Sequence, residues 1–294
     1  MGAVKNQSGL GAPDRLSARY GGVPVIYVES EDDSYVFGEC WFKDRLSHVE
    51  FRSASAQCGT SGCNAVFRAV GEERKAGNPA WGIVDRDAVM SLDQWSLVHE
   101  TDDEIFEQAK PFGPQIKVLQ RWEMESYLID GEVLEKCRAE IKMQVVRPAE
   151  VVHQELLDYC QILVPHAAVN ALFHTHKIPG LRDGYVTQFD TRAAVDLDIT
   201  SHQLKRLGEN DAASEVAYDQ HVSNVDAFDI PGAEPTLRVN SLLRRVHGKA
   251  LLMRYASNHK IHDELKGQLA NRIKELGRVS EEITAFVDMA ATTA

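Results

Sequence analysis

Three acidic pairs carry the chemistry open to this chain. Glu29 and Asp33 stand four positions apart in VESEDD, Asp85 and Asp87 flank an arginine in VDRDA, and Glu123 and Glu125 flank a methionine in RWEMESYL. Carboxylate oxygens are hard ligands, and Mg²⁺ or Mn²⁺ prefers them over nitrogen or sulfur. One or two such ions, held between carboxylates, stabilise the attacking and leaving oxygens of a phosphodiester. In extended backbone residues i and i+2 point to the same side. Asp85 and Asp87 therefore face one direction, and so do Glu123 and Glu125. Glu29 and Asp33 approach one point if the chain turns from strand to helix between them. Any one pair alone reads better as caps, turn or surface charge. Three pairs, each at the end of a separate strand, favour a shared metal site.

Such convergence requires a sheet whose strands all end on one edge. The run VPVIYV at 23–28 is short, apolar and β-branched, as expected of a strand buried on both faces of a parallel sheet. Asp32, Asp33 and Ser34 are suitable helix-start residues, and YVFGECWFKDRL reads as the helix that follows. Further strands are expected at 48–53, 81–84 and 115–119, with helical stretches from Asn64 and after RWEMESYLID. Strands alternating with helices imply βαβ units and a mainly parallel sheet. Functional residues in such sheets gather beyond the carboxyl ends of the strands. The acidic pairs fall there. After about residue 147 the pattern changes, and 148–177, 200–216, 235–258 and 262–290 all read as helical. The expected organisation is a poorly ordered N-terminus over 1–22, an α/β core over 23–147 and a helical region over 148–294 packed on it.

The helical region offers a basic complement. Read as one helix, 235–258 places Val239, Leu242, Leu243, Val246, Ala250 and Met253 on an apolar face. Arg238, Arg245 and Lys249, at i, i+7 and i+11, then form a basic stripe roughly 100° away. Such a stripe meets a phosphate or the charge developing on it. His174-Thr175-His176 falls in a helical stretch far in sequence from the acids and reads as core or surface. Gly59-Thr60-Ser61-Gly62 reads as a strand-to-helix turn, and Trp81, Trp95 and Trp122 as packing residues.

Bulk composition narrows the class. The chain has 294 residues, 44% of them apolar and 26% charged, as in ordinary globular proteins. No run approaches the roughly 18 consecutive apolar residues of a membrane helix. The N-terminus has no apolar leader, and Asn6 departs from the myristoylation pattern, so a cytoplasmic location is expected. Five cysteines, an odd number, argue against a disulfide framework, and Cys58 with Cys63 lacks a second ligand pair for zinc. A net charge of −12 speaks against non-specific nucleic-acid binding, yet suits an enzyme that gathers carboxylates around cations.

The motifs VESEDD and VDRDA resemble those of Toprim domains, which carry a Glu after the first strand and an Asp-x-Asp after a later one. The resemblance is closest to the OLD-family Toprim branch and the Toprim subunit of PARIS-type anti-phage systems. Asp33 matches that branch's second acid, Arg121-Trp122-Glu123-Met124-Glu125-Ser126-Tyr127-Leu128 its downstream acidic patch, and Gly248-Lys249 its late Gly-Lys. Ser30 departs from the glycine that often follows the first Glu. The likeness covers roughly 23–130 and, less fully, 235–255. It implies a Toprim-like α/β fold and a metal-dependent nuclease acting on DNA or RNA, tRNA included. Glu29, Asp33, Asp85, Asp87 and Glu125 would hold Mg²⁺ or Mn²⁺, with Glu29 and Lys249 catalytic and Arg238 and Arg245 binding substrate. No G-x-x-x-x-G-K-[ST] loop is present, so an ATPase that controls such an effector must be a separate chain. A homodimer is a further expectation. The alternative is a Toprim-like protein that binds a partner and does no catalysis.

Overall fold

The computed structural model describes residues 23–58, 62–208, 211–261 and 265–293. The N-terminus expected over 1–22 and residues 59–61 of the glycine turn lie outside these, as does the Cys58 side chain of the Cys58–Cys63 pair.

Four parallel strands form one sheet in the order β2-β1-β3-β4, with β1 at Val25–Val28, β2 at Glu50–Ser53, β3 at Ala80–Val84 and β4 at Ile116–Val118. Every residue of β1 and β3 is buried. That double coverage is why both segments read as unbroken apolar runs instead of alternating ones. Successive side chains nonetheless part to opposite faces. Val25, Tyr27, Val84, Ile116 and Val118 join Ala65, Val66, Ala69 and Val70 of helix α1 (Cys63–Lys75). Ile26, Val28, Trp81, Ile83 and Leu119 enter a larger core on the other face, shared with the helical region. Lys117 is also buried and pairs there with Glu282 at 3.0 Å and with Glu107.

Helix α2 (Gly131–Lys142) closes the α/β part, and the helical region comprises α3 (Ala149–Thr175), α4 (Asp211–Asp226), α5 (Pro235–Leu242), α6 (Gly248–His259), α7 (Lys266–Glu275) and α8 (Glu281–Thr292), with shorter turns between. Its axis is α3, 27 residues long, with Leu156, Leu157, Leu163, Leu172 and Phe173 almost fully buried. Each such side chain contributes about 1.5–3 kcal/mol of burial free energy. By length and composition α3 is long and apolar enough to span a membrane, although polar residues interrupt it throughout. However, 83% of its most apolar window is covered by the rest of the fold.

Three of the long helical stretches divide. Residues 200–216 break at Gly208, whose φ of 65° lies in the left-handed region, and 262–290 break near Gly277, at 66°. Residues 235–258 separate into α5 and α6 across a turn at 243–247, so the expected stripe of Arg238, Arg245 and Lys249 does not form. The physical cause is tertiary. The Leu243 carbonyl accepts from the Trp122 N–H at 2.9 Å, and α6 restarts at Gly248 against the backbone of Ser126. The stretch 35–45 is helical but not α: Tyr35–Trp41 is a π-helix and Lys43–Arg45 a 3₁₀ turn.

Gly82 lets α1 lie close on β3. A Cβ there would stand 2.5 Å from Val66 Cγ1 and 2.9 Å from Ile116 Cδ1. Gly82→Ala should therefore cost roughly 1–3 kcal/mol in denaturant unfolding through overpacking. Adding Val66→Ala should recover part of that loss, because the two sites share the clash. Equal stability of Gly82→Ala and the parent would show that α1 is not held at this distance.

Candidate metal centre

The site is built where β1 and β3 end. These strands are neighbours with Tyr27 opposite Gly82, so Glu29 and Asp85 leave the sheet side by side. After Glu29 the chain turns at once into the helical turn Glu31–Ser34, capped by Ser30. The Asp33 N–H donates to Ser30 Oγ at 3.0 Å, and the Ser30 N–H donates to Asp33 Oδ2 at 3.0 Å. This reciprocal capping box gives Ser30 a function that glycine could not supply, and it fixes Asp33 beside Glu29. The sequence S-x-x-D carried that signal. The cap is Ser30 rather than the expected Asp32, Asp33 or Ser34.

Asp85 and Asp87 follow β3 at the start of a 3₁₀ helix, Arg86–Leu92. The Asp85 N–H donates to Glu29 Oε1 at 3.1 Å, and Asp85 Oδ1 accepts from the Met124 N–H at 3.0 Å. Arg86, between them, is fully buried, with Nη1 on the Gln120 carbonyl at 2.7 Å, Nη2 on the Glu100 carbonyl at 2.5 Å and Cζ 3.9 Å from the Phe106 ring centre. Its anchorage holds the two aspartates toward Glu29. One oxygen each from Glu29, Asp85 and Asp87 lies within 4.8 Å of the others, the only such group of possible ligands among the described residues. An all-carboxylate donor set of that size fits a hard divalent cation and is poorly suited to zinc or copper.

The electrostatics fit the same reading. Burial, followed by the Asp87 charge, raises the Glu29 carboxyl to about 7. Burial and the charges of Glu29, Asp87, Asp33 and Glu123 push Asp85 up. Asp33 rises to about 6 through burial and then Glu125, against the Ser30 hydrogen bonds. Asp87 is the solvent-facing member. It too is raised by the protein packed around its carboxylate, while His247, His174 and Arg245 oppose the shift. His174 lies at the surface, as the sequence reading allowed, with Nε2 3.3 Å from the Met90 carbonyl oxygen. Cys63, at the start of α1, was missed as a neighbour: burial, Glu29 and Asp87 push its thiol to about 11.

The remaining candidates are distributed around this centre. Glu123 and Glu125 do not share a direction, because a 3₁₀ turn begins at Met124. Glu123 accepts from the backbone N–H of Lys249, so it caps the N-terminus of α6 from across the fold. Burial raises its carboxyl to about 7. Glu125 is outside the close triad and pairs with Lys266 Nζ at 2.6 Å, which also reaches Asp32 at 3.1 Å. Nothing local in sequence marks Lys266, 141 positions downstream. Gly248 permits the approach of α6, since a Cβ there would stand 2.5 Å from the Ser126 nitrogen. Lys249 is exposed, and its charge lowers the Asp183 carboxyl, after His247 and against burial. Arg245 is fully buried with its Cζ 4.2 Å from the Trp122 ring centre. Arg238 is committed to Asp229 through two hydrogen bonds of 2.8 and 2.6 Å.

A pH dependence follows. Glu29 keeps its proton up to about 7 in the fold but loses it near 4.5 when unfolded, so its contribution falls as pH rises between these values. Depressed histidines such as His99 and His221 work in the opposite direction, so the contribution must be read as a difference. In EDTA, the stability of Glu29→Gln relative to the parent should increase from pH 4.5 to pH 7 and then level off. Urea unfolding of both proteins across that range measures it, and a difference that does not change with pH would mean that Glu29 ionises freely. No known protein family, curated protein or solved structure matches this chain.

Proposed function

We propose that this chain is a Mg²⁺- or Mn²⁺-dependent Toprim-type nuclease that hydrolyses phosphodiester bonds in DNA or RNA, tRNA included. The carrying observation is the triad of Glu29, Asp85 and Asp87, brought within 4.8 Å from the ends of two adjacent parallel strands. Burial first, and then mutual repulsion, raises the proton affinities of Glu29 and Asp85, and a bound cation would relieve both. These three residues would hold the ion, with Asp33 and Glu125 bordering it. A hard divalent ion supplies charge neutralisation to the phosphate and acidifies a bound water. Glu29 would act through the ion that it helps to hold. Lys249, exposed at the start of α6, is suited to the phosphate's developing charge.

The wider setting belongs to the same proposal: a cytoplasmic anti-phage effector, controlled by a separate ATPase and acting as a homodimer. The absence of a nucleotide-binding loop in the sequence supports the separate ATPase. A non-catalytic, partner-binding role is the second reading, favoured by exposed Ile141, Met143, Val145, Val146 and Val151, a run of apolar surface beside α2 and α3.

Metal separates the two readings. Mg²⁺ or Mn²⁺ should raise the melting temperature of the parent, because binding to the native state alone stabilises it. Asp85→Asn with Asp87→Asn should remove most of that rise. Glu29→Gln should abolish cleavage of DNA and total RNA, assayed with and without any ATPase encoded by an adjacent gene, while remaining folded. An absent metal shift together with absent cleavage would leave the partner-binding reading.

Lys249 makes a separate prediction. Lys249→Ala keeps the backbone N–H that Glu123 accepts from, so α6 should stay in place. The cleavage rate should fall on the order of 10²-fold through loss of one charge contact. The metal titration should be preserved. A parent-like rate would remove Lys249 from the mechanism.

A further inference from the structure

Beside the carboxylates lies a group of donors that the fold does not satisfy. Arg245 is 0% exposed, yet Nε, Nη1 and Nη2 all lack a hydrogen-bond partner. Both ring nitrogens of His99 and Nδ1 of His221 are likewise buried and unpartnered. These residues come from three separate segments: the turn between α5 and α6, the chain after Trp95–Val98, and α4. The His99 and His221 ring centres are 6.0 Å apart, and both flank Trp95, at 5.9 and 5.6 Å. Arg245 stacks on Trp122, whose other neighbour is His247 at 5.7 Å. Arg86 ties these segments together, its backbone N–H donating to the carbonyl of Trp122 at 3.0 Å and its Nη2 to the carbonyl of Glu100, next to His99, at 2.5 Å. The opposite charge that acts on Arg245 is that of Asp87, a member of the carboxylate triad.

Burying a guanidinium with no acceptor is costly, and folded proteins rarely retain one without a use for it. Arg86 makes the contrast, since two of its nitrogens are satisfied by carbonyls. Arg245 presents a planar fork of donors, the geometry that matches a phosphate. Lysine-like point charges do not. Two imidazoles from the linked segments add further unpartnered ring nitrogens. We propose that Arg245, His99 and His221 form a pocket for a phosphate group, taken as inorganic phosphate or as the terminal phosphate of an oligonucleotide. The assignment rests on the nuclease reading for its purpose, since the pocket adjoins Asp87 and would hold the phosphate end of a substrate or product opposite the metal ligands. The complete burial of Arg245 favours a small or terminal phosphate over one in the middle of a strand.

The test is thermal melting of the full chain in EDTA, titrated with inorganic phosphate. The parent should show a saturable rise of about 2 °C at tenfold the half-saturating concentration. Arg245→Met, close in length but uncharged, should melt at or above the parent temperature and lose the response. His99→Phe with His221→Phe keeps the ring packing and should weaken half-saturation at least fivefold; it decides the matter if Arg245→Met does not fold. A dinucleotide with a 5′-phosphate should compete with inorganic phosphate if the terminal group is the source, whereas failure of both 5′- and 3′-phosphorylated forms to compete assigns the pocket to the free anion. No response in the parent, or an undiminished response in Arg245→Met, overturns the pocket. Because EDTA removes divalent ions, loss of the phosphate response with an intact Mg²⁺ shift sinks the pocket alone. A retained phosphate response with no Mg²⁺ shift sinks the metal reading alone.

Discussion

Carboxylates crowded within 4.8 Å repel one another, so their arrangement has to be imposed by the rest of the chain. Main-chain donors impose much of it. Glu29 accepts from the Asp85 N–H, Asp85 from Met124, Asp33 from Ser30 and Glu123 from Lys249. Each bond fixes one oxygen without bringing the formal positive charge that a lysine or arginine partner would. The strands make those donors available at the right height, because adjacent parallel strands end together. Buried Arg86 then prevents the Asp85–Asp87 segment from swinging away, since its guanidinium is tied to Gln120 and Glu100. The sheet, the anchoring arginine and the first turns of the helices serve one geometric demand.

The parts of this arrangement visible in the sequence are those governed by local rules. VPVIYV and AWGIV read as strands because both faces are buried, and the acids stand out because they interrupt apolar runs. Glu29, Asp85 and Asp87 therefore needed only the strand positions to be placed together. Glu123 and Glu125 illustrate the limit. The i, i+2 rule holds for extended chain and fails once a 3₁₀ turn starts at Met124, so the two residues find different partners, the Lys249 N–H and Lys266. The helical region was legible in content but not in its breaks. Residues 235–258 have an unbroken apolar periodicity, and what divides them is a hydrogen bond from Trp122 and the backbone of Ser126, more than 100 positions earlier.

That division changes what the three basic residues are. On a single helix they would be equivalent phosphate contacts. In the fold, Arg238 closes an ion pair with Asp229, Lys249 stands at a helix start in solvent, and Arg245 is sealed against Trp122. Identical charge on paper becomes a structural tie, an accessible cation and a buried donor fork. A counter-charge, rather than burial, separates Glu125 from Glu29. The first is neutralised by Lys266, while no cation pairs with the second among the described residues.

The contact of Gly248 with Ser126 reaches beyond packing. It joins the two halves of the chain at the edge of the acidic cluster, where no side chain can be interposed. A fragment ending near residue 147 would retain the carboxylates but uncover Ile26, Val28, Trp81, Ile83 and Leu119, the sheet face that the later helices protect. The remainder would carry Lys249 and Arg245 with neither Glu123 nor Trp122 to seat them. Recombination between diverged copies of such a gene would therefore be penalised when the crossover falls between the halves. The acids and their cationic counterparts must be inherited together.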